Sequence, residues 1–248
     1  MRLPGSLLIT LLLIVDTTSS QTVNVPSPSA SNLPMFRPAL LGRGSTSLVN
    51  TIDTQDLIKK GQKNAAIMFY CLVANTGDIF LSGTYRGTPS SKLLEQEVLK
   101  HLANAKFVPA IYNHQPITVF FYGTVVFAVV DGKPRLRIFS NQQLEELKKE
   151  SDFIDPQPYV GADSKFDGVH YPETGSPVLV SGTAELALNV DAEGNLKDVR
   201  LVSEYPPLLG FGDAAVSAFQ KAKFIPAFRD GQPVESKVTL PVYFTPSK

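Results

Sequence analysis

The chain has 248 residues, with 23 Lys plus Arg against 23 Asp plus Glu, so it lacks the long-range field that gathers nucleic acid or an anionic membrane surface. Hydrophobic residues make up 43% and charged residues 19%, which excludes the apolar-poor composition of a disordered chain and suffices for a packed core. A single cysteine, Cys71, excludes an intramolecular disulfide framework.

Arg2 precedes an apolar run over residues 7–15, followed by Thr17, Thr18, Ser19 and Ser20. This pattern is that of a signal peptide over 1–20, removed near Ser20. A retained membrane anchor would need roughly 20 apolar residues, and Asp16 ends this run early. Residues 21–47 are rich in Ser and Pro and poor in periodic apolar positions, so they are expected to form a tether.

An internal repeat organises the remainder. Displacing the chain on itself by 117 residues superimposes Ala105-Lys106-Phe107-Val108-Pro109-Ala110 on Ala222-Lys223-Phe224-Ile225-Pro226-Ala227, and Gln115-Pro116-Ile117 on Gln232-Pro233-Val234. The same offset pairs Gly77 with Gly194 and Pro89 with Pro206. Two stretches of one design are expected, too few for a solenoid.

Each stretch parses by period. Ile67, Phe69, Cys71 and Val73 alternate as do Ala184, Leu186, Leu188 and Val190, predicting a first strand with one face inward. Gly77 and Gly194 then supply the positive φ of a tight reversal into a second strand, over 79–85 and 196–202. Leu94, Val98, Leu102 and Ala105 recur at helical spacing, matched by Phe211, Ala215, Phe219 and Ala222. Asp213 is expected to start the second helix, by side-chain capping or by its charge at the helix's positive end, and Pro109 and Pro226 forbid either helix from continuing. A third strand follows, over 117–130 in the first stretch and through Val238, Leu240, Val242 and Phe244 in the second. The expected fold is α+β: two tandem small modules, each a three-stranded antiparallel sheet with a helix packed on one face, in the order β-β-α-β. The expected boundaries are a first module over 48–140 with an extra hairpin through Asp131-Gly132-Lys133-Pro134, a linker with a short helix over 141–177, and a second module over 178–248. The linker is rich in Pro and Gly, but Phe153, Tyr159, Phe166 and Tyr171 are interleaved in it. It therefore reads either as a free connection or as a strap across a domain surface.

Gly194 and Asp198, then Ala214-Ala215, then the run from Lys223-Phe224-Ile225-Pro226-Ala227 through Asp230-Gly231-Gln232-Pro233-Val234, ending in Leu240-Pro241-Val242-Tyr243-Phe244, resemble the TonB C-terminal domain family. The first stretch keeps Lys106-Phe107-x-Pro109-Ala110 but has Asn113-His114 for Asp230-Gly231 and Thr124 for Pro241. The resemblance implies a periplasmic interaction domain; together with the signal peptide, the expected protein is non-catalytic and periplasmic or secreted. Its expected partner is a protein or peptide of the cell envelope, such as an outer-membrane transporter that adds a strand to a sheet edge.

The last strand has features of such an edge on physical grounds. Pro241 cannot donate a ladder hydrogen bond, and Lys237 is a charge of the kind found on edges. Lys237, Val238, Thr239, Leu240, Val242 and Phe244 are thus the candidate partner-binding residues. Val242→Pro is expected to weaken binding by removing one more donor. The hairpin of the first stretch is expected to cover the equivalent edge there.

No catalytic, metal or cofactor site is expected. Gly210-Phe211-Gly212-Asp213-Ala214-Ala215 fits the glycine pattern of a dinucleotide loop, but only 33 residues follow. Asp191-Ala192-Glu193-Gly194-Asn195 imitates a calcium loop, with Val202 where the twelfth-position carboxylate belongs. His101, His114 and His170 lack zinc-ligand spacing, and Cys71 lies on an inward stripe. Two alternatives stay open: a TonB-like energy transducer held in the membrane by an uncleaved 7–15 segment, and a hydrolase with a site between the modules.

Overall fold

The computed structural model describes residues 32–149, 151–172 and 180–246; the expected signal peptide and residues 21–31 of the expected tether lie outside them. The described chain opens with two short strands, β1 (Phe36–Arg37) and β2 (Leu40–Leu41), and two short helices, α1 (Leu48–Thr51) and α2 (Thr54–Lys59). Then come β3 (Ala65–Val73), β4 (Ile79–Gly87), α3 (Lys92–Leu102), β5 (Phe107–Val108), β6 (Ala110–Tyr112), β7 (Gln115–Val130) and β8 (Lys133–Phe139). A connecting region carries α4 (Leu144–Lys149), β9 (Phe153–Ile154) and β10 (Gln157–Val160). The C-terminal part holds β11 (Gly182–Val190), β12 (Leu196–Tyr205), α5 (Phe211–Phe219), β13 (Phe224–Ile225), β14 (Ala227–Arg229), β15 (Gln232–Val234) and β16 (Ser236–Phe244).

The protein is mixed α+β, built mostly of antiparallel strands. In the N-terminal part the strands lie in the order β4-β3-β7-β8, and in the C-terminal part in the order β12-β11-β16. Both β3 and β11 alternate buried and half-buried residues along their whole length, as period-two patterning against one core requires. The helix positions spaced by four are the ones that cover those cores: Leu94, Val98 and Leu102 from α3, and Phe211, Ala215 and Phe219 from α5, are all buried.

The two glycine turns fold alike. Gly77 and Gly194 both have φ near +83°, and the carbonyl of each accepts the N–H of Phe107 or Phe224 at 3.0 Å. A β-carbon on Gly77 would lie 2.2 Å from the Phe107 carbonyl oxygen, and one on Gly194 would lie 2.1 Å from that of Phe224. No other residue could make this approach. The reversals before β7 and β15 also agree: Asn113 and His114 take positive φ as Asp230 and Gly231 do, the backbone of a type I′ turn.

Short strands upstream complete each part. β1 and β2 pair with β6 and β5, with Phe36 opposite Tyr112 and Leu40 opposite Val108. β9 and β10 pair with β14 and β13, with Phe153 opposite Arg229 and Gln157 opposite Ile225. The segment expected as a tether is therefore folded over 36–41, where it supplies strand pairing. The connecting region is a strap: Phe153, Tyr159 and Phe166 are buried. β10 joins both parts, since its Tyr159 and Val160 pair with Val119 and Thr118 of β7. The buried Gln157 amide exchanges two hydrogen bonds with the backbone of Ala39, at 2.7 and 3.0 Å.

The start of α5 has Asp213 as a first-turn charge rather than as a cap, the second of its two expected roles. Its N-cap is Gly210, in the left-handed region, and Asp213 sits inside the first turn. The Glu204 carboxylate accepts from the N–H of Leu208 and of Gly212, so a side chain from β12 satisfies the helix end. Gly212 is glycine because a β-carbon there would meet Leu201 at 2.3 Å, a packing reason rather than a nucleotide-binding one.

Candidate functional site

β16 alternates strictly. Val238, Leu240, Val242 and Phe244 are 0–4% exposed and pack with Phe211, Ala215 and Phe219 of α5. Lys237, Thr239, Pro241 and Tyr243 form the opposite row. Of the six residues singled out by sequence, Lys237 and Thr239 are thus on the outer face, whereas Val238, Leu240, Val242 and Phe244 hold the core. The outer row also contains Pro241, read from the sequence as an edge signal, and Tyr243, neither of which was among the six.

Along one side β16 pairs with β11 in unbroken register, from Gly182 opposite Phe244 to Val190 opposite Ser236. Along its other side no strand pairs with it among the described residues. β7 stands in contrast. Beyond its pairing with β3, it is covered by β8 from Thr124 to Val130, by β10 at Thr118 and Val119, and by β6 from Gln115 to Ile117. β12 is also an edge, but its ladder with β11 is shifted at Glu185/Leu186 and at Asn189/Val190. Such irregularities twist an edge away from further pairing.

The far end of β16 rests on the N-terminal sheet. The Tyr243 ring stacks on Tyr70 of β3 with centroids 5.5 Å apart and planes at 9°, and Tyr85 of β4 flanks it at 5.6 Å. Beside them is a pocket lined by Tyr70, Phe120, Tyr122, Phe166, Pro241 and Tyr243. Burial, and then the neighbouring Tyr70, push the Tyr243 phenol up to about 12, and burial raises Tyr70 and Tyr122 as well. All three remain neutral and supply rings and hydroxyl groups. At the near end, Gln143 donates to Ser236 Oγ at 3.3 Å and to Asp155 Oδ1 at 2.8 Å.

The other singled-out residues do not converge. His101 contacts Glu97, His114 contacts the Leu33 carbonyl, and His170 lies beside Asp167. Cys71 is buried, and burial pushes its thiol up, away from a reactive thiolate. Asp191 spends its carboxylate on the N–H groups of Glu193 and Asn195 within the turn. Among the described residues no group of three or more His, Cys, Asp or Glu is placed to hold a metal ion, and no helix is long and apolar enough to cross a membrane.

Residues 168–246 match the family of the Gram-negative bacterial TonB protein C-terminal. The matched stretch contains β11, β12, α5 and β16, and so includes the open edge. The TonB C-terminal match supports a protein-interaction role of TonB type in the envelope, carried by a domain of a non-enzymatic family. No curated protein matches the chain.

Proposed function

We propose that this chain is an exported, non-catalytic interaction protein that binds a protein or peptide of the envelope by strand addition to β16. The observation that carries the reading is the nine-residue, unbroken strand at the end of a sheet, within the stretch that matches the TonB C-terminal family. In an antiparallel ladder, alternate residues direct their backbone groups to opposite neighbours. Pro241 has no N–H to give β11, so its parity is the outward one. Lys237, Thr239 and Tyr243 share that parity and present donors to an incoming strand. Val242 has the opposite parity and is buried; proline there would damage the module, so it is a poor test.

The second part of the reading is that the two stretches are tandem modules of one design. Its support is geometric. Gly77 with Phe107 and Gly194 with Phe224 make the same contact 117 residues apart, and so do the arm pairs Phe36–Tyr112 and Phe153–Arg229. On this reading each module includes its upstream arm, and β8 blocks in the first module the edge that is open in the second.

The experiment is affinity capture from a Gram-negative envelope extract with the full chain as bait, followed by amide hydrogen exchange on the captured complex. Thr239→Pro removes an outward donor at an exposed position, while Thr239→Ala keeps it. The reading expects capture to fail for the proline variant alone, with new protection over 237–243. Undiminished capture by Thr239→Pro would overturn it.

A further inference from the structure

The pocket beside Tyr243 lies along the free edge of β16. Three consecutive residues of that strand line it, Pro241 and Tyr243 from the outer row and Val242 from the inner one. Successive side chains of a strand point to opposite faces, so a cavity that touches all three runs alongside the backbone. β11 fills one side of that backbone, and the pocket therefore occupies the other. Phe219 of α5 closes it on the core side, and Tyr70 and Tyr122 of the N-terminal sheet close it on the opposite side.

Its size and chemistry restrict what can enter. The cavity holds about 120 Å³, close to the roughly 150 Å³ of an apolar cavity that takes up one benzene ring. Among the described residues no charged side chain lines it, so a charged side chain would lose its water there without gaining a counterion. An aliphatic side chain would suit the rings but leave one group unanswered. Tyr122 is 6% exposed, and its hydroxyl makes no hydrogen bond to a described residue, whereas the Tyr85 hydroxyl is bound to Gln142. An occupant that carries a hydroxyl on a single ring supplies the missing partner. The edge also delivers it. Tyr243 has the outward parity, so an incoming residue that exchanges backbone hydrogen bonds with it stands directly beside it. Neighbours across a ladder share a face, and the Tyr243 ring lies on Tyr70. The incoming side chain is thus directed at the wall made by Tyr70 and Tyr122, whose ring centroids are 6.5 Å apart.

We propose that this pocket is the anchor site of strand addition at β16, and that the partner is an extended segment whose tyrosine, paired with Tyr243, inserts its ring there and hydrogen-bonds the Tyr122 hydroxyl. The proposal rests on strand addition and names the side chain that it selects.

Two measurements on the full chain test it. In the first, p-cresol and toluene, which reproduce the side chains of Tyr and Phe, are titrated and read at the amide resonances of Val242 and Tyr243. Saturable binding of p-cresol is expected. Tyr122→Phe, which deletes only the hydroxyl, should weaken p-cresol about tenfold and leave toluene unchanged, and Thr239→Pro should alter neither. In the second, a blocked heptapeptide Thr-Val-Thr-Tyr-Thr-Val-Thr is compared with its Phe counterpart. The Tyr peptide should bind about tenfold tighter, an advantage lost in Tyr122→Phe, while Thr239→Pro should weaken both peptides alike. Absence of saturable p-cresol binding, or a Tyr122→Phe variant that affects p-cresol and toluene equally, would overturn the anchor and leave strand addition standing. Unchanged p-cresol binding with peptides that ignore Thr239→Pro would overturn strand addition and this proposal with it. Peptides that obey Thr239→Pro but bind equally well with Tyr and Phe would overturn the selection of tyrosine.

Discussion

Tyr243, near the end of the last strand, stacks face to face on Tyr70 of the N-terminal sheet, and this pair fastens the open-edged strand to the rest of the molecule. Stacked aromatic pairs contribute about 0.5–1.5 kcal/mol beyond the area they bury. A double-mutant cycle with Tyr70→Ala and Tyr243→Ala should return a coupling of that size in urea denaturation. Zero coupling would mean that the two rings are merely adjacent.

The glycine turns permit a matched comparison. A methyl at Gly194 would meet the left-handed backbone penalty, about 1–2 kcal/mol, together with the Phe224 carbonyl oxygen. Gly231, at φ +76°, has open space around its missing β-carbon. Gly231→Ala should therefore cost only the backbone term, about 1–2 kcal/mol. Gly194→Ala and Gly77→Ala should each cost about 2–4 kcal/mol. The contrast is read from chemical denaturation midpoints, and equal losses at Gly194 and Gly231 would refute the close-approach argument.

These glycines also show what the sequence could and could not reveal. The alternation in β3, β11 and β16, the helix stripes and the turn positions are local signals, and each lies where its period placed it. The parity of β16 was equally readable, and it would have separated Thr239 and Tyr243 from Val242. The strand role of Phe36 and Phe153 was hidden, because a two-residue strand has no period to detect. The Tyr70–Tyr243 stack and the Gln157–Ala39 exchange join residues far apart in the chain, and no spacing rule reaches them.

Asp163 braces the two parts together. Its carboxylate accepts from Tyr159 at 2.5 Å, from Tyr112 at 2.9 Å, and from the Lys223 ammonium. Desolvation opposes its ionisation, but the bonds from Lys223, Tyr159 and Tyr112 outweigh it and hold the group at about 2. Tyr112 belongs to the N-terminal part and Lys223 to the C-terminal part, so loss of the carboxylate loosens their junction. Asp163→Ala should destabilise the protein by about 1–3 kcal/mol, and amide exchange should quicken at Tyr159 and Val119, where β10 crosses to β7. Unchanged exchange at those two amides would show that the strap holds without the brace.

Asp155 imposes a pH dependence of the opposite sign. It is buried, accepts from the Gln142 N–H and from Gln143, and burial, with Glu146 nearby, pushes its carboxyl up to about 7 despite those bonds. Its folded pKa thus lies above the unfolded one, so the folded chain binds the extra proton between about pH 4 and 7, and stability falls as pH rises through that window. Glu146, held at about 2 by Arg229 and Ser151, acts the other way together with Asp163. Their contributions are present above the ordinary carboxylate range and are lost as pH falls through about 4 toward 2. Stability should therefore peak near pH 4–5 and decline on both sides. Asp155→Asn, which keeps the shape of the side chain without the charge, should flatten the decline between pH 4 and 7 and leave the acid limb intact. Urea midpoints measured across this range check it, and a variant whose midpoint still falls as steeply from pH 4 to 7 would show that another group carries the effect.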